Sequence, residues 1–197
     1  MPLDALTLTA LVGELKETVI GARIDKIHQP SRDEIVLSLR SKNESGHSNC
    51  KLLLSGNPQH PRAHLTTLSR ENPHVAPMFC MLLRKHLTGA RILEITQPPM
   101  ERVVEFHLET LDELGFRSPR RLILEGMGRH SNLILVDAEN RIIDCLRRVD
   151  CDMSAKRQVM AGLFYHLPPT QGKENLLEHD AQSVQSLMVE GELSKWI

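Results

Sequence analysis

Aromatic side chains are scarce in this chain: of 197 residues, one is Trp, one is Tyr and four are Phe. A core has to be built from aliphatics. Few rings are available to stack on unpaired bases, which argues against single-strand readers that work by stacking. Paired cysteines are missing too. Cys50, Cys80, Cys145 and Cys151 include no CxxC, so a zinc site is not expected. The sequence has no run of eighteen apolar residues and no charged-then-apolar leader, so no membrane span and a reducing, cytoplasmic setting are expected. It has no GxxxxGK[ST] loop, no GxGxxG fingerprint and no GxSxG elbow. Nucleoside triphosphate, dinucleotide and serine-hydrolase chemistry therefore lack their usual loops, and no cofactor is expected. An excess of one charge is also absent, with 24 basic against 25 acidic residues. That is not the balance of a protein that coats DNA.

What is present is 41% apolar residues, enough for a packed core, and an uneven distribution of charge. Residues 171–197 hold two lysines and five carboxylates, which leaves 22 basic and 20 acidic residues on 1–170. Basic residues come in adjacent pairs: Arg84-Lys85, Arg120-Arg121, Arg147-Arg148 and Lys156-Arg157. The plain reading of each pair is a solvated face.

Apolar spacing at Leu8, Leu11, Val12, Leu15 and Val19 predicts a helix over residues 5–20, with Asp4 as N-cap and Gly21 as terminator. Residues 22–30 alternate around Ile24 and Ile27, in a strand that Pro30 stops. Residues 34–40 alternate again, with Ile35, Leu37 and Leu39 facing in. Residues 41–50 read as a polar hairpin loop, 51–55 as a short strand, and 56–65 as loop. Residues 69–77 are loop as well. Pro77 opens a second helix that runs to Leu87. Strands are expected near 90–97, 102–109, 119–125, 132–136 and 141–147, the last two joined in a hairpin by the short turn Asp137–Asn140. Residues 152–170 read as irregular and 180–190 as helical. Strands follow strands, so the class is α+β: a curved or sandwich-like antiparallel sheet with packed helices. Pro168-Pro169 marks a boundary between a domain of 1–170 and the start of a helical one at 171–197.

Several small constellations carry groups capable of chemistry. His60 and His64 are four apart, but Pro61 disfavours a helix there, so no metal site is expected. Ser131 follows His130, yet sequence neighbours near a strand often point apart, and no catalytic residue is assigned. If the initiator methionine is removed, Pro2 exposes a secondary amine of the kind that attacks aldehyde carbons in base-excision lyases. Glu101-Arg102 follows Gln97-Pro98-Pro99. It either binds a phosphate edge through the arginine, with the acid fixing its geometry, or is a surface ion pair. In Gly126–Asp137, GMGRHSNLILVD, four polar side chains stand between a glycine turn and an apolar strand. Arg129, His130, Ser131 and Asn132 either hold backbone phosphates and ribose hydroxyls or satisfy buried carbonyls at a sheet corner. A divided assignment has Ser131 and Asn132 bracing the corner while Arg129 and His130 reach outward.

Three stretches together, GARIDKIHQP (21–30), ENPHVAPMFCMLLRKHL (71–87) and EGMGRHSNLILVD (125–137), resemble the N-terminal NFACT domain found in the family of RqcH, fibronectin-binding protein A and NEMF. The resemblance runs from about Asp4 to Pro169. It implies a fold similar to the N-terminal domain of formamidopyrimidine-DNA glycosylases, without their chemistry, since Leu3 stands where the glycosylase has its glutamate. It implies a role in ribosome-associated quality control: binding to tRNA, alanyl-tRNA in bacteria, and to a large ribosomal subunit carrying peptidyl-tRNA, in support of alanine tailing of the stalled chain. Carried over by position, the family's functional acid matches Asp4 and its Asp-Arg pair matches Glu101-Arg102, with an acid one methylene longer here. Gly126 stands where the family usually has an apolar residue. The resemblance thus implies tRNA contact by Arg102, Arg129 and His130, with Asp4 and Glu101 orienting them, no enzyme activity, and further modules beyond Ile197. Two alternatives follow from the same features: a fibronectin-binding surface adhesin, and an abasic-DNA lyase acting through Pro2.

Overall fold

The structure, a computed structural model, describes residues 4–43, 46–111, 114–154 and 157–169. The chain divides into two compact units, residues 1–165 and 166–197. The helix expected at 180–190, and the domain expected at 171–197, lie outside the described residues.

The first unit opens with α1 (Ala5–Val19), which buries Leu8, Val12, Leu15 and Val19 and leaves Leu11 half-buried. Removing each such side chain from water stabilises by about 1.5–3 kcal/mol. Asp4 caps the helix, its Oδ1 accepting from the Thr7 N–H at 2.7 Å. Gly21, at φ +79°, turns the chain out. Strands β1 (Arg23–Ser31), β2 (Glu34–Asn43), β3 (Gly46–Ser55) and β4 (Arg62–Thr66) follow as an antiparallel meander. Then come α2 (Met78–Leu87) and a second meander: β5 (Arg91–Thr96), β6 (Val103–Leu111), β7 (Arg117–Glu125), β8 (Asn132–Val136) and β9 (Ile142–Cys145). All nine strands form one sheet in the order β4-β3-β2-β1-β5-β6-β7-β8-β9. The α+β class holds, with a large antiparallel sheet and two helices.

Several elements differ from the sequence-based expectation. Ile24 and Ile27 are three apart and both buried, which strict alternation forbids. A bulge between Ile24 and Lys26 restores the inward facing of Ile27. Pro30 does not stop β1, which continues to Ser31. The polar stretch 41–50 is not a loop. Ser41↔Ser48, Lys42↔His47 and Asn43↔Gly46 continue the β2–β3 ladder, because main-chain pairing does not need apolar side chains once the register is set. Residues 62–65, expected as loop, form with Thr66 the strand β4 at the sheet edge, where Ala63 is buried and pairs with Leu54.

The two meanders join at Arg23↔Arg91 and through Ile24 N–H to Ala90 O at 2.8 Å and Ile92 N–H to Ala22 O at 3.0 Å. The sheet bends so that β3 approaches β8. One aliphatic core lies inside, drawing Leu52 and Leu54 from one half, Leu122, Leu124, Leu133 and Leu135 from the other, and the apolar faces of both helices. Strand β8 and the second half of β7, residues 122–125, are buried on both sides. Their outer residues Ile123, Ile134 and Val136 join Val103, Val159 and Tyr165 in a second, smaller core. The segment after β9 covers that face through the bridge Val149↔Val159 and closes on Glu125. The Glu125 carboxylate is 1% exposed and takes both nitrogens of the Arg157 fork, at 2.6 and 3.0 Å, with the Tyr165 hydroxyl at 3.0 Å. Burial, with the Glu125 charge beside it, pushes the Tyr165 phenol well above its ordinary value.

Candidate nucleic-acid interface

Arginines in this fold divide by what they touch. In each of the four basic pairs, one arginine is committed to the protein. Arg84 Nε donates to the Ile27 carbonyl at 2.8 Å. Arg121 pairs with Glu105 at 2.7 Å and also reaches the Asn140 side chain. Arg147 pairs with Asp33 at 2.6 Å, and Arg157 with Glu125. The solvated-face reading fails for these four, because each finds a carboxylate or carbonyl far away in sequence.

The corner after β7 is different. Gly126 N–H donates to the Arg102 carbonyl at 2.7 Å, extending the Val103↔Glu125 register by one residue. Arg102 is half-buried, and its guanidinium has no hydrogen-bond or ion-pair partner among the described residues. Gly128, at φ +56°, opens a single 3-10 turn, Gly128–His130, that exposes Arg129 and His130. Arg129 Nε donates to His130 Nε2 at 3.0 Å, which requires that ring nitrogen to be unprotonated. Neither side chain meets a carboxylate among the described residues. The next two residues turn inward. Asn132 Nδ2 donates to Arg147 O at 2.8 Å, while its Oδ1 accepts from Leu133 N–H at 3.0 Å and Arg147 N–H at 2.9 Å. Asn132 therefore braces the corner. Ser131 is fully buried, but only its N–H does so, donating to Gly128 O at 2.9 Å. Its hydroxyl has no partner among the described residues.

Glu101 and Asp4 reach the same edge by another route. Pro98–Glu101 is a tight turn closed by Glu101 N–H to Pro98 O at 3.0 Å, and Met100 within it sits at φ +55°. That conformation is uncommon for a side chain longer than Asn. Gln97 bonds three ways: Nε2 to Ala5 O at 3.1 Å and to Glu101 O at 2.9 Å, and Oε1 from the Thr9 hydroxyl at 2.9 Å. It ties the start of α1, and so Asp4, to the Glu101-Arg102 segment. Asp4 itself uses its carboxylate on Thr7, and these helix N–H bonds hold it below its ordinary pKa. The carboxylates of Asp4 and Glu101 make no bond to Arg102, Arg129 or His130. Sequence reading missed Gln97, two of whose partners, Thr9 and Ala5, lie 88 and 92 residues away. It also missed the loop 57–61, which flanks the corner: a Cβ on Gly126 would meet Pro61 Cβ at 3.6 Å, and one on Gly128 would meet Pro58 O at 3.9 Å. The prolines of that loop were the available signal. His60 lies in this loop and His64 on β4, so they do not form a helical ligand pair. Pro2 and Leu3 lie outside the described residues.

A family model described as NFACT N-terminal and middle domains matches residues 4–197. The chain belongs to the NFACT family. Among curated NFACT relatives, the Rqc2 homolog RqcH of Bacillus subtilis is 42% identical over 200 residues, covering 100% of this chain and 34% of that protein. RqcH of Streptococcus suis is 41% identical over 170 residues, covering 86% and 30%. The ribosome quality control complex subunit NEMF of Homo sapiens is 26% identical over 144 residues, covering 73% and 12%. The chain thus spans about a third of the length of the RqcH relatives. Two solved structures have the same fold. The N-terminal domain of fibronectin-binding protein PavA from Streptococcus pneumoniae superposes with a TM-score of 0.87 at 33% identity, covering 97% of this chain and 70% of that one. The N-terminal part of the fibronectin/fibrinogen-binding protein of Streptococcus suis gives 0.85 at 37%, covering 96% and 70%. Among the described residues, no helix is long and apolar enough to cross a membrane.

Proposed function

We propose that this chain supplies the tRNA- and large-subunit-binding domain of a cytoplasmic ribosome-associated quality control factor, one that supports C-terminal alanine tailing of stalled nascent chains. The domain binds and does not catalyse. The observation that carries this reading is the division of the arginines. Arg84, Arg121, Arg147 and Arg157 are spent on the fold, whereas Arg102 and Arg129 stand at one corner without a carboxylate. A guanidinium left unpaired at a rigid corner is suited to a phosphate edge. His130 adds a second ring nitrogen beside Arg129. Asp4 and Glu101 act by placing the α1 start and the Pro98–Glu101 turn through Gln97, since neither bonds the arginines. From the family resemblance we also infer kinship with the sheet of formamidopyrimidine-DNA glycosylase N-terminal domains.

The test is binding of labelled alanyl-tRNA and a control tRNA across a salt series. Clear binding with a steep slope is expected, and Arg102→Ala should lower that slope by about one unit. An unchanged slope and affinity would remove Arg102 from the site.

A second reading rests on the names of the solved relatives, which are fibronectin-binding proteins. It predicts saturable binding of the chain to immobilised fibronectin, and detection of the native protein on intact cells. Absence of both would end it.

A further inference from the structure

The outer face of the first meander carries a cavity that the corner does not use. Cross-strand register lines up His28↔Val36, Val36↔Leu53 and Leu53↔His64, so two imidazoles flank an apolar pair across four strands. The adjacent row lines up Ser38↔Lys51 and Lys51↔Thr66. Val36 and Leu53 are 9% and 3% exposed, yet they face away from the main core and belong to neither core cluster. The chain after β4 folds back beside them, with Leu68, Ser69, Arg70 and Asn72 as the opposite wall. The enclosed volume is about 140 Å³. Ligand pockets for drug-sized molecules measure roughly 300–1,000 Å³, so this one fits a single ring system and not a dinucleotide.

Charge sets the chemistry. Among the described residues no carboxylate lines the cavity, whereas Lys51, Arg70, His28 and His64 do. Lys51 Nζ is held, among the described residues, only by the Ser69 hydroxyl, at 2.6 Å. Arg70 shares the single carboxylate of Glu34, at 2.5 Å, with Arg62 at 2.6 Å. Two guanidinium groups on one acid leave a net positive charge at the rim. Burial lowers the pKa of both imidazoles. Arg84, Lys26 and Lys51 add to this at His28, and Arg62 and Arg70 add to it at His64, with Glu34 opposing. The site is therefore an apolar shelf in a positive field, edged by hydroxyl and ammonium donors.

We propose that this cavity binds the base of a nucleoside monophosphate unit on Val36 and Leu53, with the ribose outside and the phosphate at the rim against Lys51 and His28. The unit can be a free nucleotide or one unpaired nucleotide of an RNA strand. This proposal does not depend on the tRNA reading of the corner.

The test follows the ring signals of His28 and His64 by NMR during titration with CMP, AMP, inorganic phosphate and a 5′-phosphorylated ribotetranucleotide. Saturable shifts of both rings by the nucleotides, with inorganic phosphate weaker, are expected. Bound phosphate beside Lys51 should raise the His28 pKa, so affinity should increase as pH falls. Lys51→Gln should weaken nucleotide binding about tenfold, the loss of one charge-assisted bond, and Lys51→Arg should restore it. Tighter binding of the tetranucleotide than of CMP or AMP assigns the site to RNA, and the reverse assigns it to free nucleotide. No saturable shift with any nucleotide, or inorganic phosphate binding as tightly as CMP and AMP, overturns the proposal. Ring signals are read without tRNA, so this result and the corner's tRNA binding succeed or fail separately.

Discussion

Asn132 and Arg147 exchange two hydrogen bonds as if both were strand backbone. The Asn132 amide donates to the Arg147 carbonyl at 2.8 Å and accepts from the Arg147 N–H at 2.9 Å. A side chain here replaces a ladder rung that the corner cannot make. Arg147, held in this way, then reaches Asp33 of the β1–β2 turn at 2.6 Å. Asn132→Ala would leave the buried Leu133 N–H and the Arg147 groups short of partners, at about 1–3 kcal/mol for each group that water cannot reach. A loss of about 2–4 kcal/mol is expected from urea unfolding, with the m-value unchanged. Asn132→Asp keeps the acceptor, loses the donor and should fall between the two.

Glu125 and Arg157 form the most enclosed ion pair among the described residues, at 1% and 16% side-chain exposure. Arg157→Met would strand a buried carboxylate beside Tyr165. A loss of about 3–5 kcal/mol is expected by thermal or urea unfolding. The double variant Glu125→Leu with Arg157→Met should recover much of it, because both charges are then gone. Additive losses in the double-mutant cycle would contradict the coupling.

Gly126 has room for a side chain, in keeping with the apolar residue that the family pattern has there. A Cβ there would meet Arg102 O at 3.5 Å and Pro61 Cβ at 3.6 Å, ordinary contact distances. Gly126→Ala should change stability by less than about 1 kcal/mol. Gly56→Ala meets Leu146 Cδ2 at 3.0 Å and needs that side chain to move, so it should cost more in the same assay.

Burial separates the four thiols. Burial and the neighbouring Asp144 carboxylate push Cys145 up to about 12, while Cys151 is exposed. At about pH 8 a thiol reagent should label Cys151 first and Cys145 only after unfolding, since the thiolate is the reactive form. Mass mapping of the labelled sites checks the order.

Asp4 caps α1 as a carboxylate whose folded pKa is lowered. Its contribution is fully present above its ordinary value of 3.8 and is lost as pH falls through the lower folded value. Asp4→Ala should therefore lower the melting temperature at neutral pH. The gap to the unmodified chain should close in acid, and a gap independent of pH would show that the cap acts without its charge.

The sequence by itself determined those features whose cause lies within a few residues. α1 was legible because its cap, its apolar spacing and Gly21 are adjacent, and α2 because Pro77 opens it. The β8–β9 hairpin was legible from its short turn, and the inward Ile35, Leu37 and Leu39 from alternation. The motif at 126–132 drew notice by its crowding of polar groups. Only the tertiary structure decided which of those groups turns outward, because Asn132 is claimed by Arg147 and Ser131 by burial. It likewise decided that Arg84, Arg121, Arg147 and Arg157 serve the fold while Arg102 stays unpaired. Adjacent basic residues look alike until a distant carbonyl or carboxylate selects one. β4, the continued β2–β3 ladder, the Gln97 bridge and the outer cavity share this origin. Each depends on groups that are distant in sequence or on backbone pairing that leaves no mark in side-chain pattern, so no local reading of residue types could place them.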